Sequence, residues 1–126
     1  MTHADTVSIT RKGPLPRVPF LALKDAILGK KYELSISFVS PAISHKWNKQ
    51  YRGKDKPTNV LSFPLSKKSG ELLLCESVMK KEAPDFEMPY RKFMIFLLIH
   101  GMLHLKGMDH GSTMERKERK FLKEFS

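Results

Sequence analysis

The sequence predicts one domain that contains both α-helices and β-strands, organised around a central helix near the C-terminus. Two observations support this prediction. Four short segments have the apolar patterns of strands, and segments between them repeat apolar residues at helical spacing. The helical segment at 90–106 has almost no polar face, so other elements must cover it on most sides. We therefore expect the rest of the chain to pack around that segment.

Apolar periodicity defines the elements of the first half of the chain. Alternating apolar and polar residues predict strands at 6–11 and 33–39, and the second of these buries one face and exposes serines on the other. Apolar residues at helical spacing predict amphipathic helices at 20–28 and 41–51. A Ser-Pro pair is typical of the start of the second helix.

Two further strands follow. The strand at 60–63 is expected to end at Pro64 or to lie at an edge of the sheet, because proline cannot donate to a neighbouring strand. After a turn at 67–70, the segment 71–75 contains three consecutive leucines, which is typical of a strand buried on both faces. Cys75 is interpreted as a buried packing residue of that strand.

The last part of the chain is predicted to be helical. A short helix is predicted at 76–83, and the central helix follows at 90–106. After His110, apolar residues form a stripe between Met114 and Phe125, while the other faces mix glutamates, including Glu118, with lysines and arginines. We expect this terminal helix to pack through its stripe and to expose its charged faces.

Composition favours a soluble cytoplasmic protein that binds a polyanion. The 126 residues fit a single domain, 1–126, with a net charge of +10. The longest apolar run, 93–99, is too short to span a membrane, and the first residues lack the segments of a secretory signal. The single cysteine predicts no disulfide-linked partner and is typical of a reducing compartment. Nucleic acid is a better partner than an anionic membrane, because no basic amphipathic helix or lipidation signal is present.

Part of the positive charge is concentrated in one basic segment. Residues 45–57 carry five lysines and arginines and one aspartate. A loop held between a helix and a strand can fix a guanidinium, which then binds a phosphate through two hydrogen bonds. Arg52 is therefore the candidate phosphate ligand, and the alternative is an ordinary solvated face. Trp47 is interpreted as a core residue rather than as a platform for a nucleobase.

Three of the five histidines lie within the segment 100–110. His100 and His104 are four residues apart, so on a helix their imidazoles project from one face and can share a metal ion. Gly107 suits a left-handed helix end, after which the chain can bring His110 to the same ion. Three imidazoles with one open position are typical of a catalytic zinc site, which predicts a metal-activated water. The alternative is one capping histidine and two core histidines.

The same histidine spacing occurs in the metzincin proteases, whose motif reads H-E-x-x-H-x-x-G-x-x-H. Gly101 stands where those proteases have the glutamate that acts as general base, so peptide cleavage is disfavoured. Asp109 is the only acid within the motif. We expect its carboxylate to orient a ligand imidazole from outside the metal coordination rather than to act as the base.

Three segments together resemble the YbeY family of bacterial metal-dependent endoribonucleases. They are 51–64, which contains Arg-Gly-Lys-Asp, then 70–75, and the histidine segment 100–110. The resemblance covers about residues 32–115. It implies an α+β fold with a single mixed β-sheet of about four strands and several helices around a metal cleft, which agrees with the four strands predicted from periodicity.

The resemblance also implies roles for individual residues. His100, His104 and His110 are the implied ligands of one metal ion, expected to be zinc, and Arg52 is the implied catalytic or RNA-phosphate residue. The implied biological role is the maturation of the 3′ end of small-subunit ribosomal RNA, together with ribosome quality control. The expected partners are ribosomal RNA and the small ribosomal subunit.

These observations predict metal-assisted hydrolysis of RNA phosphodiester bonds. Arg52 would stabilise charge that develops on the phosphate, and Lys54 and Lys56 would hold the RNA backbone. Single-stranded ends or loops are the expected substrates, because their phosphates are accessible. The alternative hypothesis is a ribosome-associated RNA-binding factor that has a structural metal and no catalytic activity.

Overall fold

A computed structural model describes residues 7–126 of the chain. Two predictions concern residues outside this range. They are the start of the first strand at Thr6 and the lack of a secretory signal in the first residues. The elements, in order, are β1 Val7–Thr10, α1 Phe20–Ile27, β2 Glu33–Phe38, α2 Pro41–Arg52, β3 Val60–Ser66, β4 Ser69–Leu74, α3 Glu76–Glu82, a 3-10 helix Ala83–Phe86, α4 Tyr90–Leu105 and α5 Ser112–Phe125.

The four strands form one mixed sheet in the order β1-β2-β4-β3. Strands β1, β2 and β4 run parallel, and β3 pairs antiparallel with β4. The chain turns from β3 into β4 at Lys67 and Lys68, within the turn expected at 67–70. The prediction of a single mixed sheet of about four strands is therefore confirmed.

Strand β3 lies at an edge of this sheet and is longer than predicted. It continues through Pro64 to Ser66, with a register shift between these two residues. Pro64 has no N–H to donate, and an edge strand tolerates this because one side of its backbone has no partner strand. Of the two outcomes expected at Pro64, the edge position is the one observed, whereas the predicted end of the strand is not.

Helix α4 is the centre of the fold. Residues Phe93 to Leu105 are largely buried, and the helix packs against β3, β4, α1, α3 and α5. This arrangement explains why the segment has almost no polar face, because elements cover it on several sides. Neither α4 nor any other helix within residues 7–126 is long and apolar enough to cross a membrane.

Gly101 allows α4 to lie unusually close to the sheet. A methyl group at this position would lie 2.8 Å from Cδ2 of Leu72 on β4 and 3.2 Å from Oγ of Ser62 on β3. The Ser62 hydroxyl also donates a hydrogen bond of 3.0 Å to the Gly101 carbonyl. The close approach places the flanking part of α4, including His100 and His104, directly beside β3.

Cys75 is buried and unpaired, as predicted. It lies one residue beyond the end of β4 and precedes the first residue of α3, so it connects the two elements and does not belong to the strand itself. The backbone N–H of Cys75 donates to the carbonyl of Asn59 at 2.9 Å, which continues the pairing of the two chains just past the last strand residue.

Candidate metal centre

Three imidazoles converge at the end of α4. The helix supplies His100 and His104, and the loop before α5 supplies His110. One ring nitrogen from each residue can be chosen so that the three atoms lie within 4.8 Å of one another. Nε2 of His100 lies 3.1 Å from Nε2 of His104. The structure therefore brings together the three residues that the spacing predicted as metal ligands.

The turn after α4 carries His110 back towards the helix. Gly107 adopts the left-handed conformation, with φ of 97°, as its sequence position predicted. Its N–H donates to the His104 carbonyl at 2.9 Å, and the N–H of Met108 donates to the Leu103 carbonyl at 3.1 Å. This is the Schellman pattern of helix ends. It also places the Met108 carbonyl oxygen 2.9 Å from Nδ1 of His104.

Hydrogen bonds determine which ring nitrogens carry protons. A carbonyl only accepts, so Nδ1 of His104 donates to Met108. Nδ1 of His100 donates to the Glu118 carboxylate at 2.5 Å. In the neutral rings both Nε2 atoms then carry lone pairs, and these two atoms lie only 3.1 Å apart. Such lone pairs repel unless a cation lies between them, and two nitrogens bound to zinc at about 2.0–2.1 Å in tetrahedral geometry lie about 3.3 Å apart. The residues therefore fit a metal ion.

The surroundings of His104 favour its neutral form. Burial lowers the pKa of this imidazole below its ordinary value, and the adjacent charge of His100 lowers it further. The hydrogen bond to the Met108 carbonyl acts in the opposite direction, but it is a smaller contribution. A metal binds only a deprotonated nitrogen, so the environment of His104 prepares it for ligation.

The carboxylate that orients a candidate ligand imidazole belongs to Glu118 on α5. Its side chain is buried against His100, which corrects the prediction that Glu118 lies on a solvated face. It also corrects the prediction that Asp109 has this role. Asp109 is exposed, and in residues 7–126 it makes no hydrogen bond or ion pair with the three histidines. The turn at Gly107 directs Asp109 to solvent, whereas α5 crosses back over α4.

A signal for Glu118 was present in the sequence. Glu118 lies four residues after Met114 and three and four residues before Phe121 and Leu122, so it falls within the apolar stripe of the terminal helix. A single carboxylate inside such a stripe requires a buried polar partner. The histidines of α4 were candidates for that partner, since they are the polar groups within the apolar stretch of the central helix.

Arg52 ends α2, and its backbone is held firmly. Gly53 adopts φ of 67° and donates to the Lys49 carbonyl at 3.1 Å, which closes the helix. The guanidinium of Arg52 is exposed and has no hydrogen-bond or ion-pair partner among the described residues. Its charge also interacts favourably with the carbonyl end of the helix. The side chain is thus available to an anion.

The loop after Arg52 is pinned to α2 by two buried polar side chains. Ser44 exchanges hydrogen bonds of 2.8 and 2.9 Å with the backbone of Thr58. Asn48 donates to the carbonyl of Lys56 at 2.8 Å. The prediction of a loop anchored between a helix and a strand is therefore confirmed, and the anchoring residues are ones that the sequence pattern did not single out.

One continuous cleft of about 940 Å³ contains the three histidines and Arg52. Its walls come from α2, β3, β4 and α4, and consecutive residues 58–65 line it along the edge strand. Lys54 and Lys56 lie on the anchored loop and are exposed, but they do not line the cleft. The structure thus brings Arg52 together with the metal centre and leaves the two lysines beside it.

Four further cleft residues had no functional assignment from the sequence. Trp47, Tyr51 and Phe63 form an aromatic cluster on the wall, and Glu71 adds a carboxylate. Trp47 was predicted to be a core residue, but it is only partly buried and lines the cleft. Helical spacing shows that Trp47 and Tyr51 share a face of α2, and it does not show whether that face meets the core or a cleft.

This chain is similar to several known proteins. The family model described as Endoribonuclease YbeY matches residues 17–126. A Persephonella marina protein of that name is 42% identical over 95 residues, which are 69% of this chain and 60% of the relative. A Chromohalobacter salexigens protein of the same name is 40% identical over 108 residues, 76% of this chain and 70% of the relative. The chain therefore spans well under the full length of both curated relatives.

A solved structure has a similar fold. The solution structure of TM1509 from Thermotoga maritima aligns with a TM-score of 0.65 and 28% sequence identity. The alignment covers 94% of this chain and 87% of the other, so the similarity extends over most of both chains.

Proposed function

Because this chain belongs to the YbeY family, we propose that it is an endoribonuclease that hydrolyses RNA phosphodiester bonds with the help of one metal ion. The observation that supports this function most directly is the shared cleft. Three convergent imidazoles line the same cavity as the guanidinium of Arg52, which has no partner within residues 7–126, so one phosphodiester could contact both groups. The net charge of +10 favours a polyanionic substrate.

His100, His104 and His110 would hold the ion through one ring nitrogen each. Three nitrogen ligands with an open position suit zinc, and such an ion supplies a Lewis acid that activates water at neutral pH. Glu118 and the Met108 carbonyl keep the protons of His100 and His104 on Nδ1. Both Nε2 lone pairs are thereby kept directed towards the cleft.

Arg52 would bind the scissile phosphate. A guanidinium donates two parallel hydrogen bonds to phosphate oxygens and stabilises the negative charge that grows on them during hydrolysis. The hydrogen-bonded end of α2 fixes the backbone of Arg52, so only the side chain has to become ordered when a phosphate binds. Lys54 and Lys56, on the adjacent loop, would hold neighbouring phosphates of the RNA backbone.

The structure gives no support to peptide hydrolysis by the metzincin route. A methyl group at Gly101 already meets Leu72 at 2.8 Å, so a glutamate side chain has no room at this position. Glu118, which contacts His100, hydrogen-bonds the imidazole and holds it in place.

We propose single-stranded RNA as the substrate, because its phosphates are accessible. The proposed biological role is maturation of the 3′ end of small-subunit ribosomal RNA in the cytoplasm, together with ribosome quality control.

The test combines metal analysis with cleavage of a ribosomal RNA precursor. The purified protein should contain about one zinc per chain. Arg52→Ala should keep the metal and the fold but lose most cleavage, whereas His104→Ala should lose both metal and cleavage. Arg119→Ala, an exposed arginine on α5, is the matched control and should cleave normally.

Two outcomes would contradict the proposal. Metal-free wild type with undiminished nuclease activity would exclude a catalytic metal. RNA binding without any cleavage, by a protein that retains its metal, would instead support a ribosome-associated binding factor with a structural metal site.

A further inference from the structure

The aromatic cluster is an ordered surface within the cleft. Tyr51 stacks on Trp47 with ring centroids 5.3 Å apart and an angle of 28° between the planes. Phe63, which β3 supplies, meets Tyr51 edge-on at 4.9 Å and Trp47 edge-on at 6.2 Å. Each ring contacts the other two, so their mutual contacts hold the orientation of the exposed member.

Core packing does not account for Tyr51. The residue is 59% exposed, although its ring stacks on Trp47 and meets Phe63 edge-on. Its hydroxyl makes no hydrogen bond to any other residue of the described chain. An exposed aromatic side chain of this kind contributes little to burial, yet its face is held in a defined direction. Such a surface is suited to a flat ligand.

The position of Tyr51 next to Arg52 indicates which kind of flat ligand fits this surface. Tyr51 and Arg52 are consecutive in α2, so their side chains diverge by about 100° around the helix axis. Both line the cleft that also contains the three histidines. An RNA strand with one phosphate at Arg52 therefore has an adjacent base within reach of the Tyr51 ring, because phosphates and bases alternate along the strand.

We propose that Tyr51, supported by Trp47 and Phe63, is a stacking platform for one unpaired nucleobase of the RNA substrate. This inference rests on the proposed function and adds a subsite to it. Stacking on an aromatic ring is available to every base and requires a base that is free of a duplex. The platform would thus select single-stranded RNA without selecting a sequence.

Charge around the cluster favours a nucleic acid over an apolar peptide side chain. The Lys46 ammonium lies 5.3 Å from the centre of the Trp47 ring, and the anchored basic loop follows directly after Arg52. A base that stacks there brings its own phosphates close to these cations, whereas an apolar peptide brings no compensating charge. The surroundings of the cluster therefore match both parts of a nucleotide.

The experiment measures binding and not catalysis. Fluorescence polarisation reports the affinity of a short 2′-O-methyl oligonucleotide, which gel electrophoresis confirms to be intact after each measurement. A second oligonucleotide carries a single abasic site, placed in turn at each position. The variants are Tyr51→Ala, which removes the ring, Tyr51→Leu, which keeps apolar bulk, and Tyr51→Phe, which keeps the ring. Ile43→Ala, on an exposed part of α2 outside the cleft, is the matched control.

We expect Tyr51→Ala and Tyr51→Leu to weaken binding on the order of tenfold, while Tyr51→Phe and the control bind like wild type. One abasic position should weaken binding to wild type by a similar factor and should have no further effect on Tyr51→Ala, because ring and base act as a pair. Equal affinity of wild type and Tyr51→Ala for the intact oligonucleotide would overturn the proposal, as would equal abasic effects in both proteins.

The outcome separates this inference from the proposed function. If wild type cleaves RNA and Tyr51→Ala binds and cleaves it equally well, the stacking platform is excluded and the nuclease remains. If wild type does not cleave RNA but shows the paired loss of binding, the platform remains and the nuclease is excluded.

Discussion

The contact between Glu118 and His100 connects the metal centre to the last helix. The carboxylate is largely buried, and it accepts from Nδ1 at 2.5 Å, so it fixes both the tautomer and the ring orientation of His100. Metal-binding histidines commonly depend on a carboxylate or carbonyl in this way. Of the three candidate ligands in this chain, His100 is oriented by a carboxylate from α5 and His104 by the Met108 carbonyl.

Glu118→Gln should weaken metal binding by about 10- to 100-fold, because the neutral amide accepts a weaker hydrogen bond and does not hold the imidazole proton as firmly. Competition with a chelator of known affinity measures this change. Glu115→Gln, one turn earlier on the exposed side of α5, is the control and should bind the metal like wild type. Asp109→Asn should also leave the affinity unchanged, and a larger loss in Asp109→Asn than in Glu118→Gln would reverse our assignment.

Gly101→Ala should lower the free energy of unfolding by about 1 kcal/mol. Overpacking a well-packed core costs about 1–3 kcal/mol, and the higher helix propensity of alanine returns up to about 1 kcal/mol. The added methyl group meets Cδ2 of Leu72, which is completely buried and cannot move aside freely. Urea denaturation measures the difference.

The control for this prediction is the same substitution in a Leu72→Val chain, where the side chain that the methyl meets is shorter. The two changes together should destabilise the protein by less than the sum of the separate effects. If Gly101→Ala were as stable as wild type, α4 and the sheet could move slightly apart without a loss of stability, and the prediction would be wrong.

At the scale of elements, a small polar network joins the ends of three of them. Arg11 follows β1, Glu76 begins α3 and Tyr90 begins α4. Nε of Arg11 donates to one Glu76 oxygen at 2.7 Å, and the Tyr90 hydroxyl donates to the other at 2.8 Å. The hydrogen bond from Arg11 holds the pKa of Glu76 below its usual value, and burial together with Glu76 raises the pKa of Tyr90.

This network makes stability depend on pH in the acid range. The pKa of Glu76 is lower in the folded chain than its ordinary value of 4.5, so the folded state favours the ionised form. Its contribution is present above pH 4.5 and is lost as the pH falls through the lower, folded-state pKa. Glu76→Gln should therefore be less stable than wild type by about 1 kcal/mol at pH 7, with a difference that shrinks as the pH falls below 4.5.

Urea denaturation at a series of pH values between 3 and 7 checks this prediction, with Glu115→Gln as an exposed control. A difference between wild type and Glu76→Gln that stays constant over the whole range would mean that the ionised carboxylate contributes nothing beyond its shape.

At the scale of the whole molecule, the net charge of +10 predicts that binding of the proposed RNA substrate weakens as the salt concentration rises. Each phosphate neutralised on a single strand contributes about 0.7 to the slope of log affinity against log salt. Lys54→Ala combined with Lys56→Ala should therefore reduce the slope by about 1 to 1.5, if both lysines hold phosphates beside Arg52.

Binding titrations at several salt concentrations measure this slope. Lys81→Ala combined with Lys92→Ala removes the same charge from exposed positions on α3 and α4 and is the matched control. An equal reduction in slope for both pairs would show that the loop acts only through the overall charge of the protein.

Local patterns explain what could be predicted from the sequence. The two histidines of α4, the helix end at Gly107 and the strand alternation of β2 all depend on residues a few positions apart, where helix and strand geometry are known in advance. The contact from Glu118 to His100 spans 18 residues and depends on how α5 crosses α4, which no local period specifies. The exposure of Tyr51 likewise depends on how β3 packs beside α2, which the local sequence pattern does not specify.

Strand β3 has a consequence for self-association. It forms an open edge of the sheet and also lines the cleft, so a second copy of the chain could pair with its backbone and block the site. Pro64 offers no N–H to an incoming strand, and the register shift between Pro64 and Ser66 breaks the regular spacing that such a strand would need. We therefore expect both irregularities to disfavour the pairing of a second copy along this edge of the cleft.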